Sequence, residues 1–298
     1  MASIYGIAAL ALNIQWGFTG LMNFGLGAFY MLGAYASGLI TTASSPEHVG
    51  GFGLPFVVGI IAAIAITGLI SYFLSFPALK LGGSFFAISM LAISEIIRLI
   101  VQNEGWLTNG IWGLRGIPTP TRSLVGADAA QYIYLFICLA FLVLTYFFAE
   151  KSIRSPWGRI LAAIREDEGM SSMCGKNVWK YKMQSFVVGS AIIGIAGALY
   201  AHYMNFISPG SFSPLMATFI LWLMVLLGGS GNNRGVILGA FVVWGVWVGS
   251  EFLIGGLPSG MASRAGYIRM FILGFLLDII LVTRPQGLIG KEKIVSKL

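Results

Sequence analysis

The sequence predicts an all-α fold, a polytopic transmembrane helical bundle with about eight or nine spans, some of them short or broken. Three observations carry that expectation. Of 298 residues, 57% are apolar and only 10% are charged, where a soluble domain carries about 25% charged residues. The apolar residues come in runs close to the roughly 20 residues needed to cross a hydrocarbon core. The basic residues fall mainly between those runs, which is how a membrane protein fixes its orientation. A soluble fold of this length has no interior large enough for so much apolar surface, whereas lipid serves as its solvent. The 40 glycines fit the same picture, because small residues let membrane helices approach closely.

The spans are expected at 3–20, 24–42, 55–76, 84–102, 131–149, 183–204, 214–228, 234–254 and 266–283. The first two are interrupted. Gly17, Gly20, Gly25, Gly27 and Gly33, with Asn13, Gln15 and Asn23 among them, predict discontinuous helices. Broken backbone at membrane depth is tolerated where it is buried in protein or lines a cavity. The span at 214–228 is short for a full crossing. No charged residue precedes Glu47, so the start has no basic n-region of a signal peptide, and the first helix is expected to be retained.

Charge sets the orientation. Segments 77–83, 150–182, 229–234 and 284–298 hold most of the 18 Lys and Arg residues, from Lys80 and Lys151 to Lys293 and Lys297. The opposite side receives Arg115, Arg122 and Arg264. This asymmetry puts the C-terminus in the cytoplasm and, with nine spans, the N-terminus outside. The net charge of +7 is thereby accounted for without nucleic acid.

Segment 150–182 is the long cytoplasmic loop. Ser155 followed by Pro156 predicts a helix start, with serine as N-cap and proline at the first helical position. Trp157, Ile160, Leu161 and Ile164 then recur at i, i+3, i+4 and i+7, one apolar helix face. Arg159 and Arg165 are placed to reach lipid headgroups from an interfacial helix. Glu166, Asp167 and Glu168 follow, then Ser171 and Ser172, and Gly175 at a position suited to a helix C-cap. The residues alone leave two readings open. One is an interfacial helix with a solvated turn, and the other is a short helix that docks into a groove on a cytoplasmic partner.

Charges inside spans are costly, about 2.5–3.5 kcal/mol at the centre of a helix, and so mark candidate function. Glu95 and Arg98 stand at i, i+3 on one helix and form a candidate intramembrane pair. Arg269 and Asp278 lie too far apart to pair, and Glu251 and Asp278 lie near span ends. For a translocation path the interrupted first helices offer Asn13, Gln15 and Asn23 as hydrogen-bonding groups, with Trp16 and Phe18 as apolar wall. Helix–helix adhesion by the same amides is an equal reading.

Enzyme chemistry finds little support. The glycine-rich 228–235 (GGSGNNRG) lacks the lysine and hydroxyl of a phosphate-binding G-x-x-x-x-G-K-[ST] loop, and H-E-x-x-H is absent. His48 and His202 are isolated, and Cys138 and Cys174 make no spaced ligand pair.

The stretch 158–168 (GRILAAIREDE), with Gly175, Lys176 and Asn177 and then Tyr181 and Lys182, resembles the cytoplasmic loop of LivM-type permeases. These are membrane subunits of the ABC importers for branched-chain and hydrophobic amino acids. The resemblance covers nearly the whole chain: 11–20 (ALNIQWGFTG) with 23–25 (NFG) and 33–35 (GAY); Phe86 to Ile88, Glu95 to Arg98, 108–110 (TNG) and 116–118 (GIP); 197–200 (GALY), 227–229 (LGG) and 284–288 (RPQGL). The wording of 13–20 looks closest to the NatD branch, associated with neutral amino acids.

The resemblance implies a single transmembrane permease domain over 1–298 and a coupling helix at 166–175, a degenerate relative of the importers' EAA loop. There Arg165, Glu166, Asp167, Glu168, Ser171, Ser172 and Gly175 would couple to the ATPase, with Ser171 and Ser172 where alanines are more usual. It further implies a second, LivH-like permease subunit, two cytoplasmic ATPase subunits that bind ATP and Mg²⁺, and an extracytoplasmic substrate-binding protein. The chain itself would hold no cofactor or metal, and would sit as a multi-pass protein in a bacterial-type inner membrane. A urea or short-amide importer, or an ATP-independent secondary transporter or channel, are the alternatives the sequence leaves.

Overall fold

The computed structural model describes residues 1–44, 49–120 and 127–255, with scattered positions between 266 and 290. Its elements are α1 (Ala2–Leu12), continued by a π-helical turn (Asn13–Phe18), then α2 (Leu26–Thr41), α3 (Phe56–Ala78), α4 (Gly83–Asn103) and the one-turn α5 (Gly105–Thr108). A two-residue strand β1 (Leu114–Arg115) precedes α6 (Ala127–Arg154), α7 (Pro156–Glu166), α8 (Glu168–Met173) and α9 (Val178–Met204). Strand β2 (Phe206–Ile207), a second π turn (Leu215–Phe219), α10 (Ile220–Gly228) and α11 (Asn233–Gly255) follow. The chain is an all-α polytopic bundle, as expected.

Five of these helices, α3, α4, α6, α9 and α11, contain stretches long and apolar enough to cross a membrane. They answer to the expected spans at 55–76, 84–102, 131–149, 183–204 and 234–254. The first helix breaks as its glycines and amides predicted, through the π turn and an irregular stretch at 19–25. The second does not: α2 runs unbroken from Leu26 to Thr41, and its Gly33 serves close approach to Gly194 rather than a break. The expected 214–228 span is a π turn followed by the nine-residue α10. Half of the ninth expected span, 266–283, lies outside the described residues, as do Arg269, Arg284, Pro285, Lys291, Lys293 and Lys297. So do His48, Arg122, Arg264 and the side chain of Glu251.

One boundary differs from expectation. Helix α6 runs on to Arg154 and α9 begins at Val178, so helix occupies both ends of the 150–182 segment. Lys151 and Arg154 lie in the last turn of α6, where cations complement the helix dipole. Hydropathy ends a span where charge begins, while the hydrogen-bonded helix continues past it.

Burial sorts helices of similar hydropathy. Every residue of α1 from Ser3 to Leu12 is buried, and 78% of the apolar window of α9 is buried, against 28% for α3, α4 and α6. Helix α1 packs against α6, α9, α10 and α11, while α9 also packs against α2 and α3. The α2–α9 crossing has room for no side chain at two points. A Cβ on Gly33 would stand 2.2 Å from the Gly194 carbonyl oxygen, and one on Gly197 1.9 Å from that of Tyr30. Exposed apolar residues such as Phe73, Phe85, Phe136 and Phe147 cover the outward faces of the lightly buried helices, as a lipid-facing or subunit-facing surface requires.

The basic segments gather at one end of the bundle. Arg165 meets Gly17, Gly231 meets Asn13, Leu288 bonds to Leu227, and Phe76 packs on Trp179. At the opposite end β1 and β2 pair antiparallel, and Asn205 donates to Ile117 O and Thr119 Oγ1 at 2.7 and 2.8 Å. Buried His202 bridges Ser37 and the Pro118 carbonyl there, a packing role.

Candidate functional site

The basic end carries a compact unit made of α7 and α8. Ser155 caps α7 with its hydroxyl toward Gly158 N, and Pro156 opens the helix. Leu161 and Ile164 are buried, and Trp157 Nε1 donates to Gln184 Oε1 on α9 at 3.0 Å. The apolar face expected of this helix therefore packs on the bundle. Arg165 turns inward: its guanidinium donates to the Gly17 carbonyl, so of the two arginines expected at headgroups this one is committed to the protein. Half-burial pulls its pKa below the usual arginine value, partly opposed by Glu166, and the side chain stays a cation at neutral pH.

Helix α8 is six residues long and held at both ends. Asp167 Oδ1 accepts Met170 N at 2.9 Å, an N-cap. At the other end Lys176 N bonds to Ser171 O and Gly175 N to Ser172 O, a Schellman motif. Gly175 has φ +74°, the left-handed conformation that motif requires. Lys182 of α9 pairs with Glu168. With its ends fixed, α8 presents Glu168, Ser172, Met170 and Met173 outward, the last 91% exposed, while Ser171 is buried. A groove of about 600 Å³ runs between α7 and α8, lined by Ile160, Ala163, Glu166, Met170 and Lys176 among others. Glu166 and Asp167 are exposed in its wall, and exposed Gly175 lies between its lining residues Cys174 and Lys176.

The 13–23 region lies directly behind this unit. Asn13 Nδ2 donates to Asn233 Oδ1 at 2.9 Å, and its Oδ1 accepts Gly231 N at 2.8 Å. Asn233 in turn donates to Glu150 Oε2 at 3.0 Å. Gln15 Nε2 donates to Phe186 O and Ser190 Oγ, and Gln15 Oε1 accepts Asn23 Nδ2 at 2.9 Å. All three amides have no exposed surface. Trp16, half-buried, stands 4.7 Å from Trp222, which stacks on Phe24 at 4.5 Å and donates to Asn23 O. In this conformation the amides tie the broken helix to α9, to α11 and to one another. Contact between these amides and a solute requires those bonds to open first.

The Glu95–Arg98 pair forms along α4. Arg98 Nε donates to Glu95 Oε2 at 3.0 Å, a second nitrogen reaches the other oxygen, and Nη1 bonds Gln102 Oε1 at 3.2 Å. The side chains are 23% and 39% exposed for Arg98 and Glu95.

Sequence reasoning missed Asn232, Asn233, Glu150, Ser190 and Ser185, the last within 2.7 Å of the Thr19 hydroxyl. A signal existed for the first: an asparagine just after the glycines and before the apolar run 236–248 is an N-cap pattern. Asn232 Oδ1 indeed accepts Arg234 N and Gly235 N at the start of α11. Among the described residues no group of three or more His, Cys, Asp and Glu side chains could hold a metal ion.

Residues 1–281 match the protein family described as "Branched-chain amino acid transport system / permease component". The chain is 30% identical to the probable branched-chain amino acid transport permease protein LivM of Methanocaldococcus jannaschii, covering 98% of this chain and 92% of that protein. It is 32% identical to the high-affinity LivM permease of Escherichia coli, covering 100% of this chain and 70% of that protein. It is also 25% identical to the LivH permease of Salmonella typhimurium, with 99% and 94% covered. No solved structure matches.

Proposed function

The chain belongs to the branched-chain amino acid transport permease family, and from that membership we infer that it is the membrane-spanning permease subunit of an ATP-binding-cassette importer. Its substrates are branched-chain and other hydrophobic, neutral amino acids. The observation that carries this reading is the family match along 1–281, the whole bundle rather than one segment. Relatives named LivM and LivH both align with nearly the full chain, which favours pairing with a second, LivH-like permease of the same fold.

Two cytoplasmic ATPase subunits bind and hydrolyse ATP with Mg²⁺, and a substrate-binding protein delivers the amino acid from outside. The permease makes and breaks no covalent bond. The basic end faces the cytoplasm, with the C-terminus on that side, by the positive-inside rule. The α7–α8 unit supplies the coupling contact. Its rigid caps, exposed Met170 and Met173, and acidic Glu166, Asp167 and Glu168 suit a helix-in-groove docking on the ATPase. Closure of the ATPase pair on ATP then pushes α8, and the spans reorient around the path in alternating access. The 13–23 break is the proposed path-lining element in the state where its amides exchange partners.

The test is reconstitution with the partner subunits and measurement of ATP hydrolysis as loaded binding protein is added. Stimulation by leucine- or valine-loaded binding protein, lost on altering 166–175, supports the reading. No stimulation from an assembled complex refutes it, and urea is the next ligand to try.

A further inference from the structure

We propose that Arg165 is a positioning residue that carries displacement of the α7–α8 unit into the buried first helix, so that coupling runs through the Gly17 carbonyl rather than through Arg165 contacting the ATPase. The proposal rests on the importer reading above.

Four features place it there. The helix made of α1 and its π turn ends at Phe18, and the last carbonyls of a helix lack intrahelical donors. The carbonyls of Gln15 and Trp16 are taken by Leu21 N and Gly20 N, and the Gly17 carbonyl receives the Arg165 guanidinium from a helix 148 positions away. A cation at the C-terminal end of a helix also meets the favourable end of its dipole. The fit is close, since a Cβ on Gly20, at φ +80°, would lie 3.4 Å from Arg165 Cγ.

Both sides of this bond are suited to transmission. Helix α7 joins α8 through Asp167 alone and is anchored by buried Leu161 and Ile164, so a push on α8 moves Arg165. Helix α1 is buried along its length and packs on α6, α9, α10 and α11. Its π turn holds Asn13 and Gln15, bonded to α11 and α9. A π turn carries one more residue per hydrogen-bonded ring than an α turn and recurs at functional sites. Contraction of this turn to an α turn would supply the second arrangement that two-state coupling requires.

The experiment compares Arg165→Met, which keeps length and loses every donor, with Arg165→Lys, which keeps the charge. Each is assembled with its partner subunits in proteoliposomes, and ATP hydrolysed per amino acid transported is measured. The full-length variants are also compared by amide hydrogen exchange. Expected for Arg165→Met are normal assembly and a rise of about tenfold in ATP per transported amino acid. Exchange should speed up about tenfold at 15–23 and stay unchanged in α9. Arg165→Lys should recover part of both effects. A wild-type ratio in Arg165→Met, or unchanged exchange at 15–23, overturns the proposal. So does equal loss in both variants together with failed assembly, which marks a purely structural bond. A wild-type complex that ignores loaded binding protein overturns the importer reading itself, and the proposal with it, before any variant is made.

Discussion

Replacing Asn13 by alanine tests whether the amides of the broken helix serve packing or substrate. The carboxamide makes two bonds to a segment more than 200 positions away, from Gly231 N at 2.8 Å and to Asn233 Oδ1 at 2.9 Å, with no exposed surface. Truncation leaves one donor and one acceptor without partners. In water-soluble proteins each such loss costs about 1–3 kcal/mol. Interhelical bonds in membranes average about 0.6 and reach about 1.7 kcal/mol, because the membrane-embedded unfolded state finds other partners. Two bonds therefore predict a loss of about 1–3 kcal/mol. Unfolding by sodium dodecyl sulfate in mixed micelles, followed by tryptophan fluorescence, measures it. A cycle with Asn233→Ala should give a coupling of about 0.5 kcal/mol or more. An Asn13→Ala protein as stable as wild type, yet defective in transport, would refute the packing argument and put this amide on the substrate.

Other positions give sharper contrasts. Gly197→Leu should abolish monodisperse protein, because its Cβ falls 1.9 Å from the Tyr30 carbonyl oxygen, while Gly68→Leu, with nothing within 4 Å, should be tolerated; size-exclusion chromatography in detergent distinguishes them. Arg98→Gln leaves Glu95 unpaired in a spanning helix and should cost about 2–3 kcal/mol, and Glu95→Gln with Arg98→Gln should recover most of it in the same unfolding assay. Glu168→Lys breaks an exposed pair with Lys182, worth at most about 1 kcal/mol. It should lower stimulated ATPase activity with little change in melting temperature, and unchanged coupling would remove Glu168 from the docking face.

The broken first helix and the loop helices were readable because their signals are local. Glycines beside carboxamides marked the break at 13–25, Ser155 and Pro156 marked the start of α7, and Gly175 marked the end of α8, each by backbone chemistry that neighbours cannot alter. The Glu95–Arg98 pair was readable for the same reason, since three residues on a helix fix the distance. Arg165 was misread because an arginine on a cytoplasmic helix has the same local pattern whether it turns to headgroups or to a carbonyl of the bundle.

The sequence by itself determined the solvent and the places of the five long apolar helices, because each apolar run must meet either lipid or another apolar helix. Only the tertiary structure decided which. Lipid tails are as apolar as a leucine side chain, so hydropathy gives α1 at the centre and α3 at the edge the same signature. The pairings of Asn13 with Asn233, Gln15 with Asn23, and Arg165 with Gly17 were likewise decided there. Leaving a buried polar group unpaired is costly, and which partner it finds depends on the helices that pack beside it; the buried hydroxyls of Tyr30 and Tyr35 find none among the described residues.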